Sequence, residues 1–167
     1  MTTDSARPLP TTVAQQHARI RAMLAEVSDL DGPRRGERFA DLARYLAIQQ
    51  AAKQEFLQRT DTEQAAMVAR LEHLGPEDPS FFLQLSLLEE ALEEHADHTE
   101  KTALPAIEEG LDAGGLRRAQ DGMALVEVLY EERGAGAAVP EDGGFQAQQE
   151  AARNALRSRS ATTHEKD

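Results

Sequence analysis

The apolar positions along this chain recur at helical spacing. In "TTVAQQHARIRAMLAEVSDLDG" the stripe Val13, His17, Ile20, Leu24 and Val27 steps by four, three, four and three, which puts all five on one helix face. Thr11 or Thr12 is the expected cap and "SDLDGP" the stop. A second helix is predicted from about Arg34 to Gln58, striped by Phe39, Leu42, Leu46, Gln49, Lys53 and Phe56. A third starts near Thr60 and ends at "LGPEDP", with Met67, Val68, Leu71 and Leu74 leaving two registers open. A fourth runs from about Ser80 to Glu109 with Phe81, Leu85, Leu88, Leu92, His95, Thr99 and Thr102 on its stripe, and Pro105 should kink or weaken its last turn. A shorter fifth, Leu116 to Glu132, carries Leu116, Ala119, Met123, Val126 and Tyr130. "RGAGAAVPEDGG" has the composition of a linker, and the final stretch reads as a weak amphipathic helix through Phe145, Ala152 and Leu156 that then frays. There is no strand-like alternation and no internal repeat. The pattern predicts an all-α fold: a four-helix bundle over residues 11–132 with its short fifth helix, a flexible N-terminus at 1–10, and a linker with a weakly helical or disordered, flexible C-terminal tail at 133–167.

Composition narrows the function classes. With 167 residues the chain is long enough for one real core. Aromatics are 4% and there is no Trp, while Ala, Leu, Glu, Gln and Arg abound, a balance that favours helices. The formal net charge of −12 repels phosphate backbones and anionic headgroups, so neither a nucleic-acid nor a membrane partner is expected. The absence of cysteine excludes disulfides, thiolate metal sites and thiol catalysis. No stretch approaches the roughly 18 apolar residues of a membrane span, and the N-terminus lacks a basic patch followed by an apolar run. A soluble, cytoplasmic protein is the expectation.

The informative residues are the polar ones that interrupt the core stripes near mid-helix: His17, Gln49, Lys53, His95 and Thr99. In an antiparallel bundle they fall at a similar depth. Buried polar groups need mutual hydrogen bonds, water, a metal or a ligand, or each costs about 1–3 kcal/mol. His17 and His95 read either as core histidines bonded to Gln49, Thr99 or water, or as a two-histidine site. That site would take a single metal ion such as iron, with Glu100, Glu55 or a substrate as third ligand, or a haem held axially. Lys53 reads either as a snorkelling or salt-bridged surface lysine, or as a buried ammonium. In the second case it would hold an anionic or carbonyl-bearing small molecule and act as base or nucleophile. Glu94 and His98, one turn apart, read as a solvated face rather than a zinc site. Arg34, Arg35 and Arg38 form a small basic cluster that could dock an anionic partner.

With "QQHARIRAML", "RYLAIQQAAKQEF", "LGPEDPSFFLQLSLL" and "LEEHADHTEKTALPAI", the chain resembles the hemerythrin-like (HHE cation-binding) domains over roughly Val13 to Ile107. The resemblance implies an up-down-up-down four-helix bundle that in the family holds two irons through five histidines and two bridging carboxylates. It carries the first-helix histidine onto His17 and the fourth-helix histidine onto His95. It also puts Gln49 at the second-helix histidine, Lys53 at a bridging glutamate, Thr99 at the other bridging position beside Glu100, and Thr62 nearest the third-helix ligand. Both bridging carboxylates are then gone, and an ammonium stands where an anion would bridge the metals. The expectation is a bundle that has lost di-iron and acts without a cofactor as a binding or accessory protein, with a small-molecule ligand in an internal polar cavity lined by Gln49, Lys53, Thr62 and Thr99. The alternative is an enzyme re-using that cavity, through a single metal or haem on His17 and His95 or through Lys53 as the candidate catalytic group. No nucleophile–base–oxyanion constellation and no phosphate-cradling glycine loop is visible.

Overall fold

A computed structural model describes residues 8–165, with side chains through residue 161. It is all-helical, with no strand among the described residues. Helix α1 (Leu9–Asp29) starts ahead of the predicted Thr11 or Thr12 cap. Pro8 takes the cap position and Pro10 lies in the first turn, where a fixed φ is pre-shaped for a helix and the missing N–H has no intrahelical partner to lose. Leu9 is fully buried, so part of the expected flexible N-terminus belongs to the packed helix, and residues 1–7 lie outside the described residues. Helix α2 (Gly32–Ala52) runs on through a π-helical turn, Lys53–Leu57, and ends on Gln58 in the left-handed region. Helix α3 (Thr62–Leu74) is capped by Asp61, whose carboxylate accepts from the Gln64 N–H.

Helix α4 (Phe81–His98) continues through a second π turn, Thr99–Ala103, into α5 (Leu104–Gly110) as one rod. The expected weakening at Pro105 takes this form: the rod widens just before the residue that lacks an N–H, and Leu104 N–H bonds back to Thr99 O. The extra residue in the turn moves the buried stripe from Thr99 to Ala103, leaving Thr102 exposed. Helix α6 (Ala113–Glu131) is capped by Asp112, and α7 (Phe145–Glu165) closes the chain.

Helix α2 is the centre. Every residue from Leu42 to Lys53 is buried, because α1, α6 and α7 all pack on it. The alanines Ala43, Ala47, Ala51 and Ala52 let neighbours approach on several sides. The C-terminal region therefore differs from the expected linker and flexible tail: α7 lies along α2, burying Phe145, Ala152 and Leu156. The connection before it is also tied down. Val139 is fully buried, and Gln148 Nε2 donates to the Pro140 and Glu141 carbonyls at 3.0 and 3.2 Å. The clamp is Arg44, 1% exposed, which donates to the carbonyls of Tyr130 (2.8 Å), Glu132 (2.8 Å), Leu129 (3.3 Å) and Val139 (2.9 Å). A buried guanidinium thus collects the negative end of α6 and holds the following loop. No helix among the described residues is long and apolar enough to cross a membrane.

Candidate functional site

Four of the stripe-breaking residues meet. His17 comes from the middle of α1, Gln49 and Lys53 from the end of α2, and His95 from the last turns of α4. They line one small cavity together with Gln64 of α3, while Arg21 and Glu93 stand at its mouth. Lys53 is the first residue of one π turn and Thr99 the first of the other, so both widened turns fall at this depth. Such turns re-aim side chains that a regular helix would place elsewhere.

The hydrogen bonds fix an order of groups. His17 Nδ1 lies 3.1 Å from Glu100 Oε1, and Lys53 Nζ lies 3.3 Å from His17 Nε2. An ammonium can only donate and a carboxylate can only accept, so the imidazole is neutral, with Nδ1–H donating to Glu100 and Nε2 accepting from Lys53. On the other side His95 Nδ1 lies 3.1 Å from Asp61 Oδ2, while the other oxygen of Asp61 caps α3. Gln50 Nε2 donates to Gln64 Oε1 at 2.8 Å. Gln49 Nε2 and Thr99 Oγ1 are buried without a hydrogen-bond partner among the described residues.

The electrostatics follow from burial. Lys53 is 5% exposed, and desolvation of its ammonium lowers its pKa to about 8. Asp61 and Glu100 oppose the fall and Arg59 adds to it. His17 is lowered to about 4, first by burial and then by the Lys53 charge, against the Glu100 carboxylate that favours protonation. His95 is lowered too, by burial and then Lys53, with Asp61 opposing. Near neutral pH the cluster therefore holds one ammonium and two neutral imidazoles, each backed by a carboxylate.

Not every predicted residue arrives. Thr62 is exposed at the first position of α3: the Asp61 cap sets a phase in which Gln64, Val68 and Leu71 face inward, so Gln64 takes the place expected for Thr62. Thr99 is buried beside the cluster but off the cavity wall. Glu55 turns away to Arg157 of α7 at 2.8 Å, whereas Glu100 reaches His17. Arg35 is engaged within the chain by Asp31 and the Phe82 ring, and Arg38 by Glu26 and Asp41. Asp61 both caps α3 and faces His95, and this second role has no sequence signature.

Among the described residues no group of three or more His, Asp or Glu side chains is placed to hold a metal ion. Both ring nitrogens of His17 are committed, one to a carboxylate and one to an ammonium. The cavity measures about 10 Å³, room for about one water, so a haem does not fit between the helices as they pack. Outside it lies an open cleft of about 530 Å³ between the start of α3 and the end of α4, with Arg59, Asp61, Glu94 and His98 on its rim. His95 and Gln64 are the wall shared by cleft and cavity. No family model, no curated protein and no solved structure matches this chain.

Proposed function

We propose that this is a hemerythrin-like four-helix domain, elaborated by α6 and α7, that acts as a metal-free binding or accessory protein built around an internal polar cavity. The observation that carries the reading is the Lys53–His17–Glu100 chain. The imidazole lone pair that would face a metal accepts from an ammonium instead, and Glu100 and Asp61 offset part of the cost of burying that cation. In a low-dielectric interior an ammonium and a multivalent cation in the same place repel strongly, so Lys53 replaces the metal rather than accompanying it. The resemblance in sequence suggests the family, and the ring of side chains from α1, α2, α3 and α4 around one cavity supports that reading.

Metal analysis and a visible spectrum of protein purified from cells test this. The expected result is a colourless protein with metal far below one equivalent. Near-stoichiometric iron with an oxo-bridged band, or a Soret band, defeats the reading. The enzymatic reading has one observation in its favour, which is that Lys53 is a buried amine in hydrogen-bond contact with an acid–base pair.

A further inference from the structure

Lysine is scarce in this protein. Of its eighteen basic side chains three are lysines, Lys53, Lys101 and Lys166, and arginine fills every other position. Arginine even supplies the buried structural cation, Arg44. A lysine in the core therefore brings something a guanidinium lacks at neutral pH: an amine that can lose a proton and attack an electrophile. Among the described residues Lys53 Nζ has one side-chain hydrogen bond, to His17 Nε2. Gln49, 2% exposed and on the same cavity wall, has its Nε2 donor unpartnered. The mouth is closed by Arg21 and Glu93, paired at 2.5 Å and both roughly half exposed. Such a pair is weak enough to open, and a ligand carboxylate can take the place of Glu93 on Arg21.

We propose that, once the Arg21–Glu93 pair parts and the one-water cavity opens outward, Lys53 forms an imine with a small 2-oxo acid, whose carboxylate pairs with Arg21 and whose carbonyl oxygen accepts from Gln49 Nε2. This rests on the reading of the cavity as metal-free. Lys53 passes a proton to His17 Nε2, and Glu100 accepts the Nδ1–H bond that steadies the imidazolium. The amine lone pair forms the C–N bond as the carbonyl π pair moves to oxygen, which takes the proton back from His17. A proton then moves from nitrogen to that oxygen, the C–O bond breaks, and water leaves as the nitrogen lone pair completes C=N. Overall, ammonium and carbonyl give protonated imine and water, with no change of charge and no oxidant or reductant.

Glyoxylate with sodium cyanoborohydride traps such an imine as a stable secondary amine on the full-length chain. Peptide mapping should find Lys53 modified over the exposed Lys101 by about tenfold or more. Lys53→Arg, which keeps the cation, should remove the adduct while circular dichroism shows the same helix content. Arg21→Ala should lower glyoxylate labelling of Lys53 several-fold and leave labelling by acetaldehyde unchanged. Labelling of Lys53 no greater than that of Lys101 overturns the proposal, and an Arg21→Ala loss equal for both probes overturns the carboxylate specificity. Metal content measured on the same sample separates the two readings: bound metal defeats the metal-free site, and a metal-free protein with unlabelled Lys53 defeats only the imine.

Discussion

Helix α2 buries two cations and treats them in opposite ways. Arg44 is wrapped by four backbone carbonyls from the end of α6 and the loop beyond it, all fixed dipoles already in place when the helices pack. Lys53, further along the same helix where it widens into the π turn, donates to one imidazole and otherwise faces a cavity with an unpartnered amide. Arg44 loses water and regains nearly all its hydrogen bonds, so its burial joins α2, α6 and the loop into one unit. Lys53 loses water and regains little. A buried charge in that state weakens the fold, and such weak places are where a protein keeps chemistry or binding.

Breaking the first region should have the largest effect. Arg44→Met fills similar volume but removes the guanidinium donor from the carbonyls of Tyr130, Glu132 and Val139, and leaves Leu129 O only the Glu132 N–H that it already shares. The expected loss is about 3–5 kcal/mol, in the range for removing one partner from a buried charged network. Urea unfolding followed by circular dichroism measures it, and limited proteolysis should show the segment after α6 released first. A loss under about 1 kcal/mol would mean that the clamp is incidental.

The second region should respond in the opposite direction. Lys53→Met removes the desolvation penalty and is expected to stabilise the protein by about 2–3 kcal/mol at pH 7. The same penalty sets a pH signature. With a folded pKa of about 8 against the ordinary 10.5, the unfolded chain binds more protons between those values. Stability therefore rises with pH across that window, and below about pH 8 the full penalty is present. His17, at about 4 against 6.5, adds a second rise between those values, lost as pH falls. Thermal melts from pH 7 to pH 10 should show the upper rise in the wild type and its absence in Lys53→Met.

The two regions were not equally legible in the sequence. His17, Gln49, Lys53 and His95 were visible because each breaks a 3.6-residue stripe, and a polar residue at a core position needs an explanation. Arg44 breaks no stripe: it lies on a flank of α2 that a single-face reading assigns to solvent, and only the docking of α6 and α7 buries it. The same assumption made the C-terminal region look like a tail, since a weakly amphipathic, glutamine- and alanine-rich helix has little drive to form alone. Its stability comes from packing along α2, which helical periodicity within the segment cannot reveal. Thr62 failed for a local reason, the cap at Asp61 that set the phase of α3.

A smaller effect probes the turn that carries Lys53. An ideal Cβ on Gly122 of α6 would lie 2.4 Å from the Phe56 ring, which belongs to the π turn beginning at Lys53. Gly122→Ala gains helix propensity but must push that ring aside, for an expected net loss of about 1–2 kcal/mol. If the turn holds Lys53 in place, the substitution should also alter the His17 imidazole shifts in NMR, while amides around Arg44 keep theirs. Unchanged His17 shifts would mean that Lys53 is positioned by its partners and not by the turn.

The smallest expected change in stability lies at the mouth of the cavity. Glu93→Gln removes one half of a half-exposed ion pair, worth at most about 0.5 kcal/mol by comparison with similar surface pairs. Its effect on access should be far larger than on stability, because Arg21 and Glu93 close the route to a cavity that otherwise admits about one water. Acetylation of Lys53 by a low concentration of acetic anhydride should therefore accelerate in Glu93→Gln, with Lys101 unchanged as the internal reference. The carbonyls around Arg44 have no such door, since they are the backbone of a helix end and its loop. If Glu93→Gln left Lys53 acetylation unchanged, reagent would have to enter past His95 from the outer cleft, and the ion pair would be a surface contact alone.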